Sequence, residues 1–146
     1  MLVLDSTVLI AALDQSRSSH QMAREVLSSD REKAVTTQTM REALAVATRP
    51  RSANGLEIAF TSAWKSIAMM RSACDRLLGE NEKWWASYAA LAQDLQPTGR
   101  SIYDLGQVAH VLGLGPPAQL LTDDDRLVAR YKSHIAAITV SDLFKK

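Results

Sequence analysis

The sequence predicts an α/β fold with a mostly parallel sheet. Three observations predict it. Short apolar runs at Leu2–Leu4, Ala34–Thr36, Gln119–Thr122 and Ile135–Val140 have the length and continuity of strands buried on both faces. Segments with apolar residues at helical spacing separate them, as crossovers between parallel strands require. Isolated acids then stand where strands or helices turn: Asp5 directly after the first run, and Asp123-Asp124-Asp125 directly after the third.

Taken in order, Leu2–Leu4 is the first strand, after which Ser6 or Thr7 can cap a helix carrying Val8, Leu9, Ala12 and Leu13. A polar break at residues 16–19 leads into a helix from His20 to Leu27 with Met22, Ala23, Val26 and Leu27 on one side. Ala34–Thr36 is the second strand, and the helix after it runs from Thr37 or Gln38 to about Thr48. The turn-rich stretch Arg49-Pro50-Arg51-Ser52-Ala53-Asn54-Gly55 is a connection. A long helix is expected over Leu56–Leu78 with Gly79 as its C-cap, followed by another from Asn81 to Leu95. Pro97-Thr98-Gly99 breaks the pattern, and Ser101 is expected to cap a helix to about Leu112. The third strand at Gln119–Thr122, a short helix at Asp125–Tyr131 and a fourth strand at Ile135–Val140 complete the chain. With no repeat or dividing linker, residues 1–146 are expected to form one domain.

Composition narrows the function classes. Apolar residues make up 47% and charged residues 23%, as in ordinary globular proteins. A net charge of +1 gives no global attraction to nucleic acid or membranes, so any electrostatic footprint is local. The single cysteine, Cys74, excludes an internal disulfide and reads as a small core residue. No signal peptide or membrane span is apparent, and a cytoplasmic protein is expected. His20, His110 and His134 are scattered and form no ligand pair, which disfavours histidine chemistry.

In open parallel sheets, sites gather outside the carboxyl ends of the strands. That rule allows Asp5 to meet the terminal aspartates. Glu42, near the start of the helix after the second strand, and Asp104, one turn into the Ser101 helix, are two further acids among apolar residues. Each also has a plainer reading, Glu42 as an acid beside Arg41, Asp104 as partner of Ser101 in a capping box.

The stretches Leu4-Asp5-Ser6-Thr7-Val8-Leu9-Ile10, the Glu42 helix, Ile102-Tyr103-Asp104 and Leu121-Thr122-Asp123-Asp124 occur in the order of the PIN-domain ribonuclease motifs, and the chain resembles the VapC-like toxins of toxin–antitoxin pairs. Met40 through Pro50 followed by Asn54-Gly55-Leu56 is similar to one branch of that family. The resemblance spans nearly the whole chain and implies a PIN-like three-layer α/β/α fold with a mostly parallel central sheet of about four to five strands. It also implies a metal-dependent endoribonuclease whose catalytic acids are Asp5, Glu42, Asp104 and Asp124. Asp5 and Asp104 would be the main ligands of Mg²⁺ or Mn²⁺, Asp124 would ligate directly or through water, and Glu42 would orient the attacking water. Asp123 and Asp125 stay open as substitutes or helpers. A small antitoxin and a homodimer are the implied partners. Two departures stand out: Thr7 occupies a place where the family often has Asn, and Arg126-Leu127-Val128 replaces a common Asp-Phe.

Hard oxygen donors suit this chemistry, because divalent ions offset phosphate charge and acidify water. Arg41, Arg49, Arg51 and Arg100 flank the acidic motifs and are candidates for RNA phosphates, while Trp64, Trp84 and Trp85 are expected in the core or at a dimer contact. The rival reading is a non-enzymatic α/β protein-binding module whose acids are helix caps. A flavodoxin-like phosphoryl acceptor is a third, disfavoured because Lys33 and Lys132 are poorly placed.

Overall fold

The computed structural model describes residues 1–145. Five strands, β1 (Leu2–Leu4), β2 (Lys33–Thr36), β3 (Arg76–Leu78), β4 (Gln119–Thr122) and β5 (Ala137–Thr139), form one sheet in the order β3-β2-β1-β4-β5. Every pairing is parallel. Eight α-helices accompany them: α1 (Ser6–Leu13), α2 (His20–Ser28), α3 (Thr37–Thr48), α4 (Phe60–Ser72), α5 (Glu82–Leu95), α6 (Ser101–Leu114), α7 (Asp125–Tyr131) and α8 (Val140–Leu143).

The pleat sorts side chains into two cores. On β1, Leu2 and Leu4 face a cluster containing Val8, Leu9, Ala23, Val26, Ala43 and Ile67, whereas Val3 faces Leu105, Val108, Leu127 and Tyr131. On β4, Leu121 joins the first cluster and Leu120 the second. Alternation with period two thus sends neighbouring residues to opposite layers. Helices α1 to α4 and α8 cover one face, and α5 to α7 cover the other. The result is the three-layer α/β/α arrangement expected from the sequence.

Two segments differ from that expectation. The chain expected as one helix over residues 56–78 is helical only from Phe60 to Ser72. Before it, the Leu56 and Ile58 amides donate to the Val46 and Ala47 carbonyls, so this stretch runs back along α3 instead of coiling. After it, Asp75 hooks the chain onto β2, its amide donating to the Lys33 carbonyl (2.9 Å) and its carboxylate accepting from the Lys33 amide (2.8 Å). β3 follows from that hook. Gly79 therefore ends a strand and caps no helix. The fourth expected strand is shorter than its apolar run, since Val140 already begins α8.

Gly55, in the connection after α3, is required by space. A Cβ there would lie 1.9 Å from the Arg49 carbonyl oxygen. Cys74 is a core residue as expected: its Sγ donates to the Met70 carbonyl, and burial pushes its thiol up to about 11. Among the described residues, no helix is long and apolar enough to cross a membrane.

Candidate active site

The strand order places a topological switch between β1 and β4. From β1 the chain builds β2 and β3 to one side, and β4 and β5 on the other. Crossovers diverge there and leave a crevice at the carboxyl ends of the strands. Asp5 follows β1 and Asp123 follows β4, so both emerge at this crevice.

Asp5 occupies the N-cap position of α1, yet its side chain makes no cap hydrogen bond. Oδ2 instead accepts from the hydroxyls of Thr7 (2.7 Å) and Thr122 (3.0 Å). Asp5 is 5% exposed, and Oδ1 makes no hydrogen bond to the described residues. Since no fully buried polar side-chain atom among the described residues is left without a partner, that oxygen keeps contact with solvent. The Thr7 hydroxyl also accepts from the Asp123 amide at 2.9 Å, and the Thr122 hydroxyl accepts from the Asp124 amide at 3.1 Å. Two threonines thereby tie the ends of β1 and β4 together around one carboxylate. The Thr7 departure from the family pattern thus has a defined role in this chain.

Glu42 lies on the second turn of α3, away from its capping positions. Its Oε2 accepts from the Ser6 hydroxyl (2.9 Å) and Oε1 from Gln38 Nε2 (2.6 Å). Gln38 Nε2 also donates to the Tyr103 carbonyl (3.0 Å), linking the Glu42 helix to the Asp104 helix. A Cβ on Gly106 would meet Gln38 Oε1 at 2.8 Å, so the glycine makes room for this link.

Asp104 is in the first turn of α6, but not in a Ser101 capping box. The Ser101 hydroxyl turns back to Thr98, donating to its carbonyl (2.7 Å) and accepting from its amide (2.9 Å). Arg100 occupies the N-cap position after a turn through Gly99, whose φ is +57°. Arg130 Nη1 lies 3.7 Å from Asp104 Oδ2. Burial is the main cause that raises the Asp104 carboxyl above its ordinary range; Asp5 adds to it, Arg130 opposes it, and Asp124 and Glu42 add further. Asp5, Asp124 and Glu42 are therefore each within electrostatic reach of Asp104.

The three terminal aspartates divide. Asp124 caps α7, its Oδ1 accepting from the Arg126 amide at 2.8 Å. Asp123 is held by the Ser19 hydroxyl (2.8 Å) and by Arg17 (3.4 Å). Asp125 is exposed in the first turn of α7. Among the described residues, no three His, Cys, Asp or Glu side chains already surround one point as a metal site would. Arg130, the α7 amide and the hydroxyl donors hold the acids in place instead.

The donor set still fits a hard divalent ion in kind. Such an ion takes oxygen ligands, and Mg²⁺ commonly uses one or two direct carboxylates with water for the rest. Asp5 offers a solvent-facing oxygen, and a cation near Asp104 would offset the burial and like-charge repulsion that raise its carboxyl.

Other expectations sort as follows. Arg51 pairs with Glu57 at 3.9 Å, Arg41 and Arg49 are exposed, and Arg100 lies beside Asp104 in a surface hollow. Trp84 is half-buried, packs on Tyr88 with centroids 5.0 Å apart and donates to the Gly106 carbonyl. Trp64 and Trp85 are 56% and 60% exposed, so neither is core, because both lie on helix faces turned from the sheet. Buried His110 packs by Trp84 with its imidazole pushed down to about 4, which keeps it neutral. Lys33 sits at the amino end of β2, where its Nζ donates to the Ser29 and Arg31 carbonyls; it cannot serve a phosphoryl-acceptor site at the opposite edge.

Ser6, Gln38, Arg126 and Arg130 were not among the expected site residues. The Gln38–Glu42 spacing of four on one helix was the available signal for Gln38, and none pointed to Ser6. Arg126 and Arg130 have the same spacing on α7.

No family model and no curated protein matches the sequence. Solved structures do match. VapBC-1 from nontypeable Haemophilus influenzae superposes with a TM-score of 0.68 at 18% identity, over 96% of this chain and 98% of that one. The fold is the PIN fold of the VapC toxins. VapBC2 of Rickettsia felis, solved bound to a fragment of promoter DNA, gives 0.68 at 14% identity over 94% of this chain and 97% of its own. VapC20 of Mycobacterium tuberculosis, described as a sarcin–ricin loop cleaving toxin, gives 0.64 at 14% identity over 89% of this chain and 95% of its own. Identities this low carry the PIN fold across, and the chemistry rests on the residues above.

Proposed function

We propose that this PIN-fold protein is a metal-dependent endoribonuclease that acts as the toxin of a toxin–antitoxin pair. The observation that carries the reading is the joining of Asp5 to the Asp124 amide through Thr122, and of Glu42 to the Asp104 helix through Gln38, at the carboxyl edge of a parallel sheet. Like charges brought to one edge favour a cation beside them, the place that Arg130 takes at Asp104. The binding-module alternative needs these acids to be helix caps, and only Asp124 caps one through its side chain.

Asp5 and Asp104 are the residues that would hold Mg²⁺ or Mn²⁺, with Asp124 assisting directly or through water. When bound, such an ion offsets charge on the phosphodiester and lowers the pKa of water. Thr7 and Thr122 fix the Asp5 carboxylate by occupying Oδ2 and leave Oδ1 directed to solvent. Ser6 and Gln38 fix the plane of Glu42, whose remaining lone pairs can accept a proton from a water placed for in-line attack. Arg130 keeps a cation beside Asp104 before substrate arrives. A small antitoxin covering this edge, supported by the likeness to VapBC complexes, and a homodimer, implied by the family resemblance alone, belong to the same proposal.

The test is cleavage of RNA by the purified chain with Mg²⁺ or Mn²⁺, with EDTA, and in folded Asp5→Asn and Asp104→Asn variants. Cleavage is expected only in wild type with metal. Persistent cleavage in EDTA, or by both variants, would overturn the mechanism.

A further inference from the structure

We propose that the hollow between the α5–α6 connection and α7 is a subsite for a single-stranded nucleotide flanking the cleaved phosphate. The inference rests on the ribonuclease reading and says where the substrate strand leaves the acidic edge. The hollow has a volume of about 680 Å³, within the range that small-molecule sites occupy. Asp104 and Asp124 belong to its wall, so whatever fills it lies against the acidic site.

The rest of its charged wall is cationic: Arg100 precedes α6, and Arg126 and Arg130 stand one turn apart on α7. α7 is anchored beneath them by Leu127 and Tyr131, which are 5% and 2% exposed, so the two arginines share a supported ridge. Arg130 pairs with Asp104, but the guanidinium groups of Arg100 and Arg126 have no acidic partner among the described residues. Leu95, Pro97 and Leu127 add apolar surface to the same hollow.

That combination selects the ligand class. A polyanion approaching carboxylates alone is repelled, and three guanidiniums against two carboxylates reverse the sign locally. Guanidinium groups bind phosphate oxygens in a forked geometry. Apolar surface beside them suits the ribose or base of an unpaired nucleotide, and a concave site of this size admits a splayed nucleotide but not a duplex. An acidic protein segment would satisfy the arginines but leave the apolar wall and the neighbouring aspartates without a matching group.

The variant to test is Arg100→Gln/Arg126→Gln, which leaves the proposed metal-binding and water-orienting acids intact. Steady-state cleavage is measured with Mg²⁺ or Mn²⁺, and binding of a fluorescein-labelled single-stranded RNA by anisotropy in EDTA across a salt series. We expect KM to rise about tenfold with kcat within about twofold, and the salt slope to fall by about 1.4, or 0.7 per lost phosphate contact. Arg126→Lys in an otherwise wild-type chain should keep most of the affinity, because its charge is retained. Wild-type cleavage with KM and slope unchanged in the double variant would overturn the subsite. So would unchanged RNA binding with weakened capture of a synthetic acidic peptide, which would assign the hollow to protein. Absence of any wild-type cleavage would instead bring down the ribonuclease reading on which the subsite depends.

Discussion

Thr36→Val keeps the shape of a side chain and removes a hydroxyl that several buried groups share. Thr36 ends β2, is 0% exposed, and caps α3 by accepting from the Thr39 amide at 2.9 Å. The same oxygen accepts from Gln107 Nε2 at 3.0 Å and donates to the Thr39 hydroxyl, also at 3.0 Å. Losing the cap costs about 1 kcal/mol. Gln107 is 1% exposed, and its Nε2 would lose its only hydrogen-bond partner among the described residues, at a cost of about 1–3 kcal/mol. No cavity opens, so the expected loss is about 2–4 kcal/mol. Urea unfolding should show it as a midpoint shift of roughly 1–2 M with an unchanged slope of about 2 kcal/mol/M. Adding Gln107→Leu removes the orphaned amide, so the double variant should be less destabilised than the sum of the singles by about 1–2 kcal/mol. A single-variant loss below about 1 kcal/mol, or strict additivity, would refute the shared-hydroxyl account.

Asp104→Asn should abolish RNA cleavage while making the protein more stable at pH 7. Folding raises this carboxyl above 3.8, so the ionised form opposes folding; the gain is full above the raised value and closes as pH falls toward 3.8, which thermal melts across pH would reveal. His110 works oppositely. Its imidazole falls from 6.5 to about 4 on folding, so between those values the unfolded state binds the extra proton, and wild type should lose stability on acidification by up to about 1.4 kcal/mol per pH unit. His110→Phe should flatten that slope in denaturant titrations; an unchanged slope would assign it elsewhere. Gly106→Ala should push Gln38 off Glu42 and cut kcat by about 10- to 100-fold, with stability changed by no more than about 1 kcal/mol, because only the end of a flexible side chain must move. Full activity in that variant would remove Gln38 from its positioning role.

The sheet was legible where strands are buried on both faces. Leu2–Leu4, Ala34–Thr36 and Leu120–Leu121 are continuous apolar runs because helices cover them above and below. β3 was not legible: it is an edge strand with Arg76 and Leu77 exposed, and its two leucines continue the apolar spacing of α4. The acids were legible because carboxylates among apolar residues stand out and the fold rule says where strand ends meet. Their supports were not. Ser6 and Glu42 lie 36 residues apart, and Gln38 and Tyr103 lie 65 apart, so nothing local in the sequence pairs them. Arg126 stands out in sequence only as part of a departure from a family pattern, and Arg130 not at all, yet α7 brings both to the hollow beside Asp104.

The bond between Asp5 and Thr122 closes a separation of 117 residues, and β1 lies between a strand made early and one made late. Synthesis proceeds from the amino end, and parallel pairing over such distances is slow. Until β4 has left the ribosome, Asp5 lacks the strand that clamps it and Asp124 is not yet present. The proposed active site is therefore incomplete in the growing chain for most of its own synthesis. The connectivity is itself a timer: the groups assigned to the site come together only when the chain is nearly finished.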